Sequence, residues 1–200
     1  SDFPSVQPLL TLLRTSLGET PIGMIDVAKL IGAIPGLSQP PTPKQASSIS
    51  RLTRQLGYGI EPDPGEMRTD FLKSTWVAVF QLDPNAPERS PLAVQRASLS
   101  AGALLTQVDG TLDSATQHWL LDLVAAAHPI TFDETLQLEA YARWLGDRPV
   151  TMADFKRQWG AIVAAHAAEL ARIAIAAAEH DGLISRAEMT QLGKLYATLG

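Results

Sequence analysis

The 200-residue chain has no cysteine. That excludes disulfides, thiolate zinc sites and cysteine nucleophiles, and it suits a reducing compartment. No uncharged apolar run reaches the length of about 18 residues that a bilayer span needs. The most apolar stretch, Ala161 to Ala178, is interrupted by His166, Glu169 and Arg172, so no transmembrane segment is expected. Positive charge is also scarce. The formal charge is −5, and no Lys/Arg stripe is present to neutralise phosphates, which argues against a nucleic-acid partner. The strings that announce common chemistries are missing: no Gly-x-Ser-x-Gly elbow, no GxxxxGK phosphate loop, no GxGxxG fingerprint and no HExxH. The N-terminus, Ser1-Asp2-Phe3-Pro4, carries no leader pattern. It also lacks an initiator Met, so the sequence reads as an excised piece of a longer protein.

What is present is a large apolar fraction with helical spacing. Hydrophobic residues make up 46% of the chain, enough to bury a core. Ala, Leu and Gln are frequent, β-branched runs are scarce, and apolar residues recur at 3.6-type spacing. The expected fold is mostly α: a multi-helical bundle with an internal two-fold repeat in residues 90–200 and a minor β element near residues 57–82. Two domains are expected, 1–88 and 89–200, divided at the turn-rich Asp83-Pro84-Asn85-Ala86-Pro87.

In the first half, helices are predicted over about Val6 to Ser16, Met24 to Ile34, and Pro43 to Leu56. Gly18, Pro35-Gly36 and Gly57 are the corresponding stops. Two prolines and two glycines between Tyr58 and Gly65 exclude a helix there. Thr75 to Leu82 is aromatic and β-branched, and it is predicted to pair with residues 57–61. In the second half, helices are predicted from Pro91 to Gln107, from an Asp113 cap to Ala127, and from the Thr131-Phe132-Asp133-Glu134 capping box to Leu145, with Gly146 as its stop. Thr151 opens another helix that Gly160 breaks or kinks, and an Ala-rich helix follows over 161–179. The polar residues of the Ala-rich helix fall in one stripe roughly 140° wide, the pattern of a helix in the middle of a bundle. Ser185-Arg186-Ala187-Glu188 is a further capping box, opening the last helix.

One element occurs twice. Val108-Asp109-Gly110-Thr111-Leu112-Asp113 and His180-Asp181-Gly182-Leu183-Ile184-Ser185 both read Asp-Gly, one residue, an aliphatic, then a helix cap, and Asp109 and Asp181 are 181 − 109 = 72 residues apart. A repeated acidic turn between apolar helices points to a duplicated helical unit. It also gathers carboxylates at helix junctions, where hard cations find oxygen ligands. The metal candidates are Glu179, Asp181 and Glu188 at the second junction and Asp109 and Asp113 at the first, for a divalent cation of the Ca, Mg or Zn class. The competing reading is structural: glycine takes the left-handed turn, and the carboxylates cap amides. Against the EF-hand pattern, Gly182 falls at loop position 6 and Glu188 at position 12, but Ala177 stands where the first ligand belongs. A complete EF-hand is therefore not expected.

The remaining candidates are weaker. His118, His128 and His166 show no metal-ligand spacing, and His166 reads as a packed or surface histidine. His180-Asp181 is similar to the dyad of helical HD-type phosphohydrolases, but no Asp follows Asp181 to complete that set. Trp76, Trp119, Trp144 and Trp159 read as core anchors. Lys44, Arg51 and Arg54 read as a solvated basic face.

The Asp-Gly junctions resemble those of the TerB family of bacterial tellurite-resistance and stress proteins, in which all-helical domains carry acidic residues at such turns in two similar halves. The segment Ala178 to Glu188, followed by Leu192, Leu195-Tyr196 and Leu199-Gly200, looks like the longer members, which flank a TerB domain with further N- and C-terminal modules. Leu56 to Pro64 and Val77-Ala78-Val79-Phe80 resemble the end of the N-terminal module. The resemblance covers residues 90–200 best and 50–85 less well. It implies a non-enzymatic, cytoplasmic interaction module whose partners are other proteins in stress-response complexes peripheral to the inner membrane, with the acidic positions chelating metal. Thr116 stands where the second copy has Glu188, a departure that weakens the first junction. The alternatives are a scaffolding helical bundle without metal and, more remotely, a metal-dependent phosphohydrolase.

Overall fold

The computed structural model describes residues 6–83, 92–108 and 112–200. Its described residues fold mostly as helix, with one small sheet, as the sequence patterning leads one to expect. The chain divides into two compact units. The first contains the described residues up to 83 together with Thr135–Trp144, and the second contains the remainder. The proposed divider, residues 83–87, lies outside the described residues from 84 onward.

Unit 1 is a three-stranded antiparallel sheet with helices packed on it. Its elements are α1 (Gln7–Leu17), β1 (Ile22–Asp26), α2 (Val27–Gly32), α3 (Pro43–Gln55), β2 (Tyr58–Glu61), α4 (Arg68–Lys73) and β3 (Trp76–Gln81). The strand order is β1-β3-β2. The pairing of β2 with β3 is the one expected, with Gly59 opposite Phe80 and Ile60 opposite Val79. The first strand is a correction. The helix anticipated from Met24 to Ile34 is a strand to Asp26 and then the short α2. Pairing with β3 outweighs helical spacing here, because every residue from Ile22 to Asp26 gains a partner on β3. Gly23 permits it: a Cβ there would lie 1.9 Å from the Ser16 carbonyl oxygen at the end of α1.

Val77 and Val79 sit in a core with Leu9, Leu13, Leu30, Ile49, Ile60 and Phe71. Trp76, by contrast, is 39% exposed rather than a core anchor. Arg54, read as part of a solvated face, bonds Asp63 Oδ2 at 2.8 Å, where Ser50 also donates. Residues 135–144 are the middle of α7 (Phe132–Asp147), and they close this unit. Gln137 Nε2 donates to Glu61 Oε1 at 2.6 Å, Arg143 Nη1 to the Ile22 carbonyl at 3.0 Å, and Trp144 Nε1 to Ser74 Oγ at 2.9 Å.

Unit 2 is helical: α5 (Ala93–Thr106), α6 (Ser114–Ala127), the two ends of α7, α8 (Met152–Ala178) and α9 (Arg186–Leu199). Its centre is α5, buried without interruption from Arg96 to Leu105. The Ala-rich segment joins the preceding turn in one 27-residue helix, buried along Val163, Leu170, Ile173, Ala174, Ala177 and Ala178, with Ala161, Ala164, Ala165 and Ala168 exposed. This helix is long and apolar enough, by length and composition, to cross a bilayer, and 33% of its most apolar window is buried. Its irregularity falls at His166 (φ −128°, ψ 25°), not at Gly160. Gly146 does not stop α7, which continues to Asp147. A Cβ at Gly146 would crowd the end of the Gln117 side chain and come 3.0 Å from the Leu112 carbonyl, so this glycine allows α7 a close approach there.

Gly23→Ala should destabilise unit 1 by about 2 kcal/mol or more, since the obstructing atom is backbone and cannot swing away. Urea denaturation monitored by tryptophan fluorescence reads this. An unchanged midpoint would show that α1 can be displaced from β1 at little cost.

Candidate helix-junction site

The second junction is built from ordinary terminal chemistry. Helix α8 ends at Glu179, which is exposed, and Gly182 follows in the left-handed region (φ 92°) with its N–H on the Glu179 carbonyl at 3.0 Å. Asp181 Oδ1 accepts from the Leu183 N–H at 3.3 Å. Ser185 caps α9, accepting from the Glu188 N–H at 3.1 Å while Glu188 Oε2 accepts from the Ser185 N–H at 2.7 Å. This reciprocal pair is the capping box read from the sequence. Glu188 is 4% exposed. Its carboxylate is therefore committed to the turn, while Glu179 and Asp181 are exposed.

At the first junction, Asp109 lies outside the described residues, with Gly110 and Thr111. Asp113 caps α6, its Oδ1 accepting from the Thr116 N–H at 2.8 Å. That backbone bond, then one from the Thr116 side chain, holds the Asp113 carboxyl below the usual range, with a smaller contribution from the charge of His180. The two junctions are indeed neighbours. His180 stacks on Trp119 of α6 with ring centroids 3.9 Å apart and planes 26° from parallel. Among the described residues, what meets between them is this aromatic pair. Among the described residues, no group of three or more His, Asp or Glu side chains converges in a way that could hold one metal ion.

A third acidic first turn follows the same rule. Thr151 caps α8 and accepts from the Asp154 N–H at 3.1 Å. Burial alone would raise the Asp154 carboxyl. Hydrogen bonds from Arg157 and Thr151 and the charges of Arg148 and Arg157 more than offset this and hold it at about 2. Thr131 and Glu134 make the matching exchange at the start of α7 (2.7 and 3.3 Å).

The cluster that sequence reasoning missed is His128, His166 and Glu169. Glu169 Oε1 lies 3.2 Å from His128 Nε2, and Oε2 lies 3.3 Å from His166 Nδ1. The spacing of His166 and Glu169, one turn apart, was visible in the sequence. His128 comes from the C-cap of α6, and only the fold brings it there.

Comparison with family models, with curated proteins and with solved structures finds no match to this chain.

Two outcomes follow. Glu188→Ala should cost about 1 kcal/mol, the worth of a cap, and the cost should be the same with and without added calcium, magnesium or zinc. A cost that grows with cation would tie Glu188 to an ion. Asp154 has a depressed pKa in the folded state, so its contribution is full above the ordinary carboxylate value of 3.8 and is lost as the pH falls through about 2. Urea midpoints should thus fall more steeply between pH 4 and pH 2 in the parent than in Asp154→Asn; parallel slopes would remove Asp154 from the acid limb.

Proposed function

We propose that this chain is a non-enzymatic helical interaction module of the tellurite-resistance type, acting among cytoplasmic stress-response complexes next to the inner membrane. Its acidic junctions serve as helix caps. The observation that carries the reading is an exposed apolar face at the second junction. Leu183 is 82% exposed, Met189 58% and Tyr196 45%. Met189 and Tyr196 are seven residues apart on α9 and share one side of it, with Gly193 between them. The adjoining flank of α9 is spent on the unit's own core through Leu192 and Leu195. Exposed Met and Tyr on a rigid helix are the residue types that protein interfaces favour. The resemblance over residues 90–200 supplies the biological setting. The commitment of Asp113, Asp181 and Glu188 to backbone amides favours the capping role over the cation role.

The test is site-specific photo-crosslinking in cells, with the reactive side chain placed at Met189 or Tyr196 and, as control, at Lys44 of α3. Discrete protein adducts are expected from α9 and none from Lys44. The double change Met189→Lys with Tyr196→Lys should abolish them while leaving stability within about 0.5 kcal/mol, as for ordinary surface positions. Absence of adducts from both α9 positions would sink the interaction reading.

A further inference from the structure

Unit 1 carries a cleft that none of the foregoing uses. It lies at the C-terminal end of α1, has a volume of about 470 Å³, and is lined by Arg14, Leu17, Glu19, Pro21, Tyr58 and Gln81. The floor is apolar and well packed: Leu17 is 9% exposed and Tyr58 8%. The walls hold two opposite charges, a phenol and an amide. Elsewhere in this unit Asp63 takes Ser50 and Arg54, Arg68 donates to the Pro41 carbonyl, and Gln45 closes the Thr42 cap. Among the described residues, the side chains of Arg14, Glu19, Tyr58 and Gln81 make no hydrogen bond or ion pair with one another or with any neighbour. A guanidinium and a carboxylate that line one cavity without pairing leave room for a ligand carrying both complementary charges.

The local backbone fixes the polarity of such a ligand. Helix α1 ends at Leu17, and Gly18 turns the chain in the left-handed region (φ 56°). The Thr20 N–H and hydroxyl both bond the Leu17 carbonyl, at 2.9 and 2.7 Å, and hold Glu19 beyond the helix end. The terminal carbonyls of a helix carry partial negative charge. They add to the Glu19 carboxylate and favour a cation at that end. Arg14, in the last turn of α1, offers a planar double donor suited to a carboxylate. We propose that this cleft binds a small zwitterion of the free α-amino acid class, its carboxylate on Arg14 and its ammonium group on Glu19, with Tyr58 and Gln81 supplying neutral hydrogen bonds. A pocket with an apolar floor and a few convergent polar groups is the usual form of a small-molecule site.

The experiment uses the full chain, labelled with 15N, titrated with glycine, L-alanine and L-leucine, and in parallel with sodium acetate and methylammonium chloride. Saturable amide shifts confined to residues 14–20, 58–59 and 80–81 are expected with the amino acids. Acetate and methylammonium should bind at least about tenfold more weakly, since each forfeits one charge-assisted contact. Arg14→Gln and Glu19→Gln should each weaken amino-acid binding by about tenfold or more. Both positions are exposed and unpaired, so helical circular dichroism should not change. Tyr58→Phe keeps the buried ring and should weaken binding several-fold. Three results overturn the proposal: no saturable shift with any of the amino acids, binding by acetate or methylammonium as tight as by glycine, or binding unchanged in both charge variants.

Discussion

Unit 1 depends on a helix segment that arrives late in the chain. Three hydrogen bonds from residues 137–144 reach Glu61 on β2, Ile22 on β1 and Ser74 before β3, so one short stretch touches the sheet at both edges and at the entry to its middle strand. Glu61 is wholly buried, and a buried carboxylate without a donor is expensive. Tyr141 and Trp144, with rings 5.3 Å apart, supply the apolar cover over the same stretch. The sheet has only three strands, and this segment adds to the helical cover that α1, α2 and α3 give it. The segment Thr135–Trp144 therefore belongs to the unit's core rather than to its periphery.

The second constraint is the cost of bare helix ends. Each helix start leaves amides without partners, and in this chain Thr42, Asp113, Thr131, Thr151 and Ser185 all answer that need with a side-chain oxygen. Carboxylates and amides three residues on return the favour at Gln45, Glu134 and Glu188. The acidic residues that draw the eye as metal candidates are largely accounted for by this arithmetic. What distinguishes the second junction is the company of Leu183 and the exposed side of α9, which gives the turn an apolar rim.

Much of this was legible in the residues. The caps at Asp113, Thr131 and Ser185 stand at fixed offsets from the apolar runs they open, and a cap is a local interaction that sequence spacing encodes directly. The β2–β3 pair was visible for the same reason: aromatic and β-branched residues flank a segment where prolines forbid a helix. β1 was hidden because Ile22 to Ile31 satisfies helical and strand spacing alike, and only β3, more than fifty residues away, decides between them. The Glu169 cluster was hidden likewise, since His128 reaches it through the packing of α6 against α8. The glycines misled in both directions. Gly160 has open space around it while α8 loses its regularity at His166 instead, and Gly146 serves contact with Leu112 and Gln117 rather than termination. Trp119 and Trp76 show that tryptophan marks a place of contact without saying whether the partner is the core, another ring or solvent.

The position of the sheet's closing segment has a consequence for synthesis. Residue 83, the last described in the first run of unit 1, emerges some sixty residues before Trp144. At translation rates of about 5–20 residues per second, that gap is roughly 3–12 s. Throughout it, the nascent chain carries β1, β3 and β2 without the residues that bond Ile22, Ser74 and Glu61. Ribosomes would thus display an incomplete sheet for seconds on every round of synthesis, with its edges short of the partners that residues 137–144 later supply.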